Sequence, residues 1–233
     1  GSVVSASYDT NKSITYKKLS VEIPQTTFSK TSGNVTFKVQ YPENITCGVP
    51  TTFKLSSEGT TDKVQYALYS LTTEDGTIVY DTSYGSNGKF FSKDSFDFTF
   101  YASGTYYIRF AIMDTGVSPY VWFNTGLYGI KLVIDDKGYP TVENVVADLK
   151  AQCEKTCTTD YEKAVWFNDW LVENCRYDFS YSYCAPEGAL ARGLGTCEAY
   201  HRAYVMLLNS VGIATDRISG DGHVWTGVQL DGN

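Results

Sequence analysis

Nowhere in the 233 residues is there an apolar run approaching the roughly 18 residues that a membrane-crossing helix needs, so no transmembrane segment is expected. Basic runs are missing too. With 19 Lys and Arg against 26 Asp and Glu the net charge is −7, and no Lys/Arg-rich stretch could follow a phosphate backbone, so nucleic acid is not an expected partner. Histidine is scarce: His201 and His223 are the only two. The Cys153-x3-Cys157 spacing therefore meets no second ligand pair, and neither a metal nor a cofactor is expected. The opening Gly1-Ser2-Val3 has neither the charged n-region nor the apolar h-region of a leader, and Gly-Ser has the look of a cloning remnant.

What the chain has in quantity is aromatic residues, 19 Tyr and 12 Phe, most of them in the first 135 positions among many Thr and Ser. Such residues suit half-buried strands, and weakly charged Tyr/Thr/Ser-rich β-modules are commoner outside cells, so an extracellular or cell-surface location is expected. Apolar and polar residues alternate strictly in Val35-Thr36-Phe37-Lys38-Val39-Gln40-Tyr41 and again in Phe96-Asp97-Phe98-Thr99-Phe100. Further strands are predicted at 14–23, 52–56, 64–71, 77–81, 105–113 and 127–134, separated by turns such as Glu74-Asp75-Gly76, Ser86-Asn87-Gly88 and Ala102-Ser103-Gly104. About seven strands at this spacing suit an immunoglobulin-like β-sandwich.

Asp135-Asp136-Lys137-Gly138-Tyr139-Pro140 ends this regime, and the apolar period changes to that of helices. The expected organisation is a leading strand or linker over 1–34, the sandwich over 35–136, and a third unit over 137–233. Val142, Val145, Val146, Leu149 and Cys153 share one helical face. Thr159-Asp160 opens a second helix, whose stripe reads Tyr161, Ala164, Val165, Asn168, Leu171, Val172 and Cys175. A short helix is predicted from Pro186 to near Gly193, and another buries Tyr200, Ala203, Tyr204, Leu207, Leu208 and Val211 before Gly212. His223 to Leu230 reads as a strand leading into Asp231-Gly232, a hairpin signal.

In Gly193-Leu194-Gly195-Thr196-Cys197, a cysteine starts a helix directly after two glycines that let the backbone turn sharply. The unpaired amides and positive end of a helix favour thiolate over thiol, and the same amides are suited to hold an oxyanion. A base must then come from elsewhere, and His223 opens a strand after Gly220-Asp221-Gly222. Along that strand Val224, Thr226, Val228 and Leu230 point one way, while His223 and Trp225 share the other face. Of the six cysteines, at 47, 153, 157, 175, 184 and 197, Cys153/Cys157 and Cys175/Cys184 are candidate short-loop disulfides whose connectivity sequence cannot fix.

The stretch Gly193–Cys197–Tyr200, then Gly212-Ile213, then Gly220…His223-Val224-Trp225…Leu230-Asp231-Gly232, resembles the transglutaminase-like core. Asp160-Tyr161-Glu162-Lys163-Ala164…Trp170-Leu171…Tyr177-Asp178 is similar to the helix that precedes this core in bacterial members. The resemblance implies a multidomain chain in which the β-sandwich is followed by a papain-like α+β domain, incomplete at its C-terminus, with a Cys-His-Asp triad for acyl transfer. Cys197 is then the nucleophile and His223 the base, Tyr177 a second oxyanion donor, and Trp225 part of the substrate wall. The family's orienting Asp lies on the following strand; if Asp231-Gly232 is a two-residue turn, the position opposite His223 is about 240.

Each of these residues has a plainer reading. Cys197 suits a buried structural thiol, His223 a satisfied core histidine, and Tyr177 a core aromatic. His201, four residues after Cys197, is a rival base, but the family has a small residue there and the ring is expected to point along the helix. Asn168 interrupts its stripe and, if buried, needs a hydrogen-bond partner. The expected function is that of a secreted or surface-attached bacterial protein acting as a cysteine acyltransferase or peptidase on peptide or protein amides, cell-surface and cell-wall substrates among them. The alternative is a binding or adhesion protein whose thiol domain is inactive.

Overall fold

The computed structural model describes residues 23–81 and 90–230, so the strand expected mostly within 14–23, the Ser86-Asn87-Gly88 turn and the Asp231-Gly232 hairpin signal lie outside the described residues. The described chain is β-rich, with three α-helices and its strands spread over several small sheets. Strands β1 (Gln25–Ser32), β2 (Val35–Pro42), β3 (Thr51–Glu58) and β6 (Ser95–Phe98) form an antiparallel sheet in the order β1-β2-β3-β6. β1 falls in the range read as a leading strand or linker, and it pairs with β2 along its whole length. A second antiparallel sheet contains β4 (Val64–Thr73), β5 (Ile78–Asp81), β7 (Gly104–Asp114), β8 (Val121–Asn124) and β9 (Ile130–Ile134). β7 is its axis. One edge of β7 pairs with β4, and the other is shared by β9 over its first half and β8 over its last four residues.

The alternation in β2 has the consequence expected of it: Val35, Phe37 and Val39 are buried while Thr36 and Lys38 are not. Their side chains join Phe53, Leu55 and Phe98 of the same sheet in one apolar cluster with residues of the other sheet. From the other sheet come Leu71 of β4, Ile108 and Phe110 of β7, and Ile130, Leu132 and Ile134 of β9. The two sheets thus face each other across a shared core.

Residues 135–141 lead from β9 to the helices and are strapped to the β-module. Ser103 Oγ donates to Tyr139 O (2.6 Å), and Asp136 Oδ2 accepts from Cys47 N–H (3.0 Å). Helix α1 (Val142–Cys153) starts at the cap Thr141, and α2 (Asp160–Asn174) at Thr159, whose hydroxyl and backbone exchange hydrogen bonds with Glu162 in a capping box. α3 (Cys197–Ser210) packs between them and a two-stranded hairpin, β12 (Thr215–Gly220) with β13 (His223–Val228). Asp221 (φ 52°) and Gly222 (φ 73°) make its two-residue turn, the left-handed pair that an Asp-Gly dipeptide favours.

On α1, Val146, Leu149 and Cys153 are buried as the periodicity predicts. On α2 the stripe needs correction. Ala164, Phe167, Leu171 and Cys175 face the core, whereas Tyr161 (63% exposed), Val165, Asn168 and Val172 (65%) do not. Asn168 is therefore solvated, with Asp169 as its side-chain neighbour at 3.4 Å. All six cysteines are free thiols, so neither candidate disulfide is formed.

The helices meet the β-module through the segment before α3. A single π-helical turn, Gly188–Arg192, ends at Gly193 in the left-handed region (φ 70°). From this turn the Arg192 guanidinium reaches Thr99 O (2.8 Å), lies 4.4–5.0 Å from the ring centres of Tyr183, Tyr101 and Phe98, and pairs with the buried Glu187 at 3.5 Å.

Candidate functional site

Two short strands place the residues upstream of α3. β10 (Arg176–Tyr177) runs parallel to β11 (Leu194–Gly195), and the Asp178 N–H donates to Gly195 O at 2.9 Å. This ladder sets Tyr177 beside the start of α3. Asp178 is itself buried, and its carboxylate accepts from the Ser180, Ser182 and Tyr183 N–H groups at 2.8–2.9 Å. Burial alone would raise its pKa; the Ser180 hydroxyl, which also donates to it, and these amides hold it below the ordinary carboxylate value. Tyr177 is thus fixed from both sides.

Cys197 is the first residue of α3. Thr196 precedes it in an extended conformation, and its side chain caps none of the first-turn amides. Gly195 allows the close approach, because a Cβ there would stand 2.6 Å from Ala199 Cβ. Burial raises the pKa of the Tyr177 hydroxyl, the Cys197 side chain raises it further, and the Cys197 N–H opposes them. The phenol, the thiol and that amide therefore adjoin.

The facing wall is β13. Val224 is buried against α3, while His223 and Trp225 lie on the opposite face with ring centres 5.6 Å apart, as the strand alternation predicts. Cys197, His223, Tyr177 and Trp225 all line one cavity of about 370 Å³, together with Tyr200 and His201. Its outer edge is built by Asn168 and Val172, the α2 residues that the apolar stripe assigns to the core. A second, more polar hollow lies on the other side of Cys197 and His223 and includes Glu198, Arg217 and Asp221. There Glu198 bridges Arg202 and Arg217, each at 2.7 Å. Cys197 and His223 thus stand where two hollows meet.

Residues 147–233 match the transglutaminase-like superfamily. No curated protein and no solved structure gives a match. The transglutaminase-like segment contains every residue named around the cavity, whereas both large sheets lie outside it. Within this segment His201 departs from the expected direction. Its ring reaches the cavity wall, and Nδ1 shares a hydrogen bond of 2.8 Å with Thr226 Oγ1. The ring ties α3 to β13, a contact that helical spacing alone does not reveal. Among the described residues no cluster of His, Cys, Asp and Glu is suited to hold a metal.

Proposed function

We propose that the chain performs acyl transfer on peptide or protein amides, with Cys197 as nucleophile and His223 as base. The observation that carries this reading is the shared cavity: the thiol, at a helix start that the Thr196 side chain does not cap, and the imidazole line the same hollow, with Tyr177 beside the thiol. His223 takes the thiol proton as Cys197 Sγ bonds to the amide carbon. The oxyanion accepts hydrogen bonds from the Cys197 N–H and the Tyr177 hydroxyl. The C–N bond then breaks, His223 returns the proton to the departing amine, and a thioester remains. Water or a second amine attacks it, giving hydrolysis or transamidation by the same residues.

The finer readings belong to the same proposal. The Tyr/Thr/Ser-rich sheets support an immunoglobulin-like module and an extracellular or cell-surface setting, and the resemblance of the Asp160 to Asp178 stretch to bacterial members supports a bacterial one. The division at 1–34, 35–136 and 137–233 also remains a proposal, supported by the change from strands to helices between β9 and α1. A second reading, adhesion through the β-module, is favoured by the exposed Tyr120, Trp122, Leu127 and Tyr128.

Iodoacetamide labelling between about pH 5 and about pH 9, mapped by mass spectrometry, separates the two readings. Cys197 is expected to react faster at neutral pH than a free thiol of pKa about 8.5, and His223→Ala to remove the advantage. A Cys197 no more reactive than that free thiol would favour adhesion.

A further inference from the structure

The two hollows that meet at Cys197 and His223 differ in chemistry. Glu198, Arg217, Ser219 and Asp221 make one of them polar. The other, of about 370 Å³, has no Asp, Glu, Lys or Arg among its described lining residues. Its polar atoms are already in use. The Tyr200 hydroxyl donates to Cys175 O and the Tyr204 hydroxyl to Ala164 O (2.9 Å), while His201 Nδ1 is shared with Thr226 Oγ1 (2.8 Å). Burial lowers the His201 pKa, which keeps that ring uncharged at neutral pH. With these atoms paired the wall offers mainly carbon, and a charged side chain placed there would lose its water without gaining a partner.

The rim is apolar as well. Val172 and Trp225 line the cavity yet remain 65% and 47% exposed. Phe179, 80% exposed, has its ring centre 5.0 Å from that of Tyr177, and the exposed Tyr181 lies 6.5 Å from the same ring. The core face of α2 is already formed by Ala164, Phe167 and Leu171, so nothing in the fold calls for Val172 beside the cavity. Large apolar side chains left to water around one cavity wall suit a surface that a ligand covers, and the volume is that of a small-molecule site.

We propose that the reaction selects amides flanked by an uncharged aliphatic or aromatic side chain, which enters the cavity lined by Val172 and Trp225. This rests on the acyl-transfer reading and deepens it, because Val172 has no part in the chemistry and becomes a specificity residue. Such a wall discriminates weakly between one apolar group and the next, and strongly against charge.

Iodoacetamides bearing an N-benzyl, an anionic N-carboxymethyl or a cationic N-(trimethylammonioethyl) group test this. The labelling rate at Cys197 of the whole chain, mapped by mass spectrometry, is divided by the rate of the same reagent with N-acetylcysteine, which removes intrinsic reactivity. The benzyl reagent is expected to exceed both charged ones at least about tenfold. Since the net charge is −7, long-range steering alone would favour the cation, so rejection of both signs is the signature of the cavity. Val172→Asp, at an exposed position, should lower the benzyl-to-cation ratio several-fold, and Val172→Leu should preserve it. The proposal is overturned by equal rates, by a cationic preference, or by a ratio that Val172→Asp leaves unmoved. A fast but unselective Cys197 sinks the specificity alone, whereas a Cys197 no faster than the free thiol with every reagent sinks the acyl-transfer reading and the specificity with it.

Discussion

At Gly195 the backbone passes so close to α3 that a methyl group would meet Ala199 Cβ at 2.6 Å. Gly195→Ala must therefore displace the β11 strand or the first turn of α3, with a cost of about 1–3 kcal/mol. Thermal denaturation should show a lower Tm, and an unchanged Tm would mean that the contact relaxes freely. His201 makes a pH-dependent contribution. Burial lowers its pKa, Arg217 and Arg202 add to this, and Glu198 opposes. The unfolded chain takes up a proton near about pH 6.5 that the folded chain resists, so stability is full above about 6.5 and declines as pH falls toward the lower folded pKa. His201→Gln should flatten that decline, measured by urea denaturation at about pH 5 and about pH 7.5. The signals for Cys197 and His223 are local and legible in sequence: glycines before a helix start, and a His-x-Trp strand. The partnership of His201 with Thr226 spans 25 residues and has no local signature.

At the scale of elements, caps are more legible than faces. Thr159-Asp160 marks the start of α2 in the sequence, and the structure adds Glu162 to it, with Glu162 Oε2 accepting from the Thr159 N–H at 3.0 Å. Thr159→Ala should remove about 1 kcal/mol of stability, read from the urea midpoint. The buried face of α2 is hard to read because its apolar residues surround more than one side: Phe167 enters the core, while Val172 borders the cavity. β12 escapes sequence reading for the opposite reason. Thr215-Asp216-Arg217-Ile218-Ser219-Gly220 is mostly exposed and has no apolar alternation, so its strand form comes from the Asp221-Gly222 turn and pairing with β13. β8 is similarly short, four residues held against the end of β7.

For the molecule as a whole, the junction between sheets and helices depends on Arg192. Removing its charge leaves Glu187 buried with no other described cation beside it. Arg192→Met should cost about 3 kcal/mol or more at neutral pH, and less in acid, where Glu187 becomes neutral; urea denaturation at the two pH values tests this. The same arginine has a mechanical meaning. Its guanidinium is gripped by the β-module, and only Gly193, Leu194, Gly195 and Thr196 separate it from Cys197. The thiol's position is thus tied through four residues to an anchor on the β-module, so the placing of the sheets against α3 bears directly on where the sulfur stands.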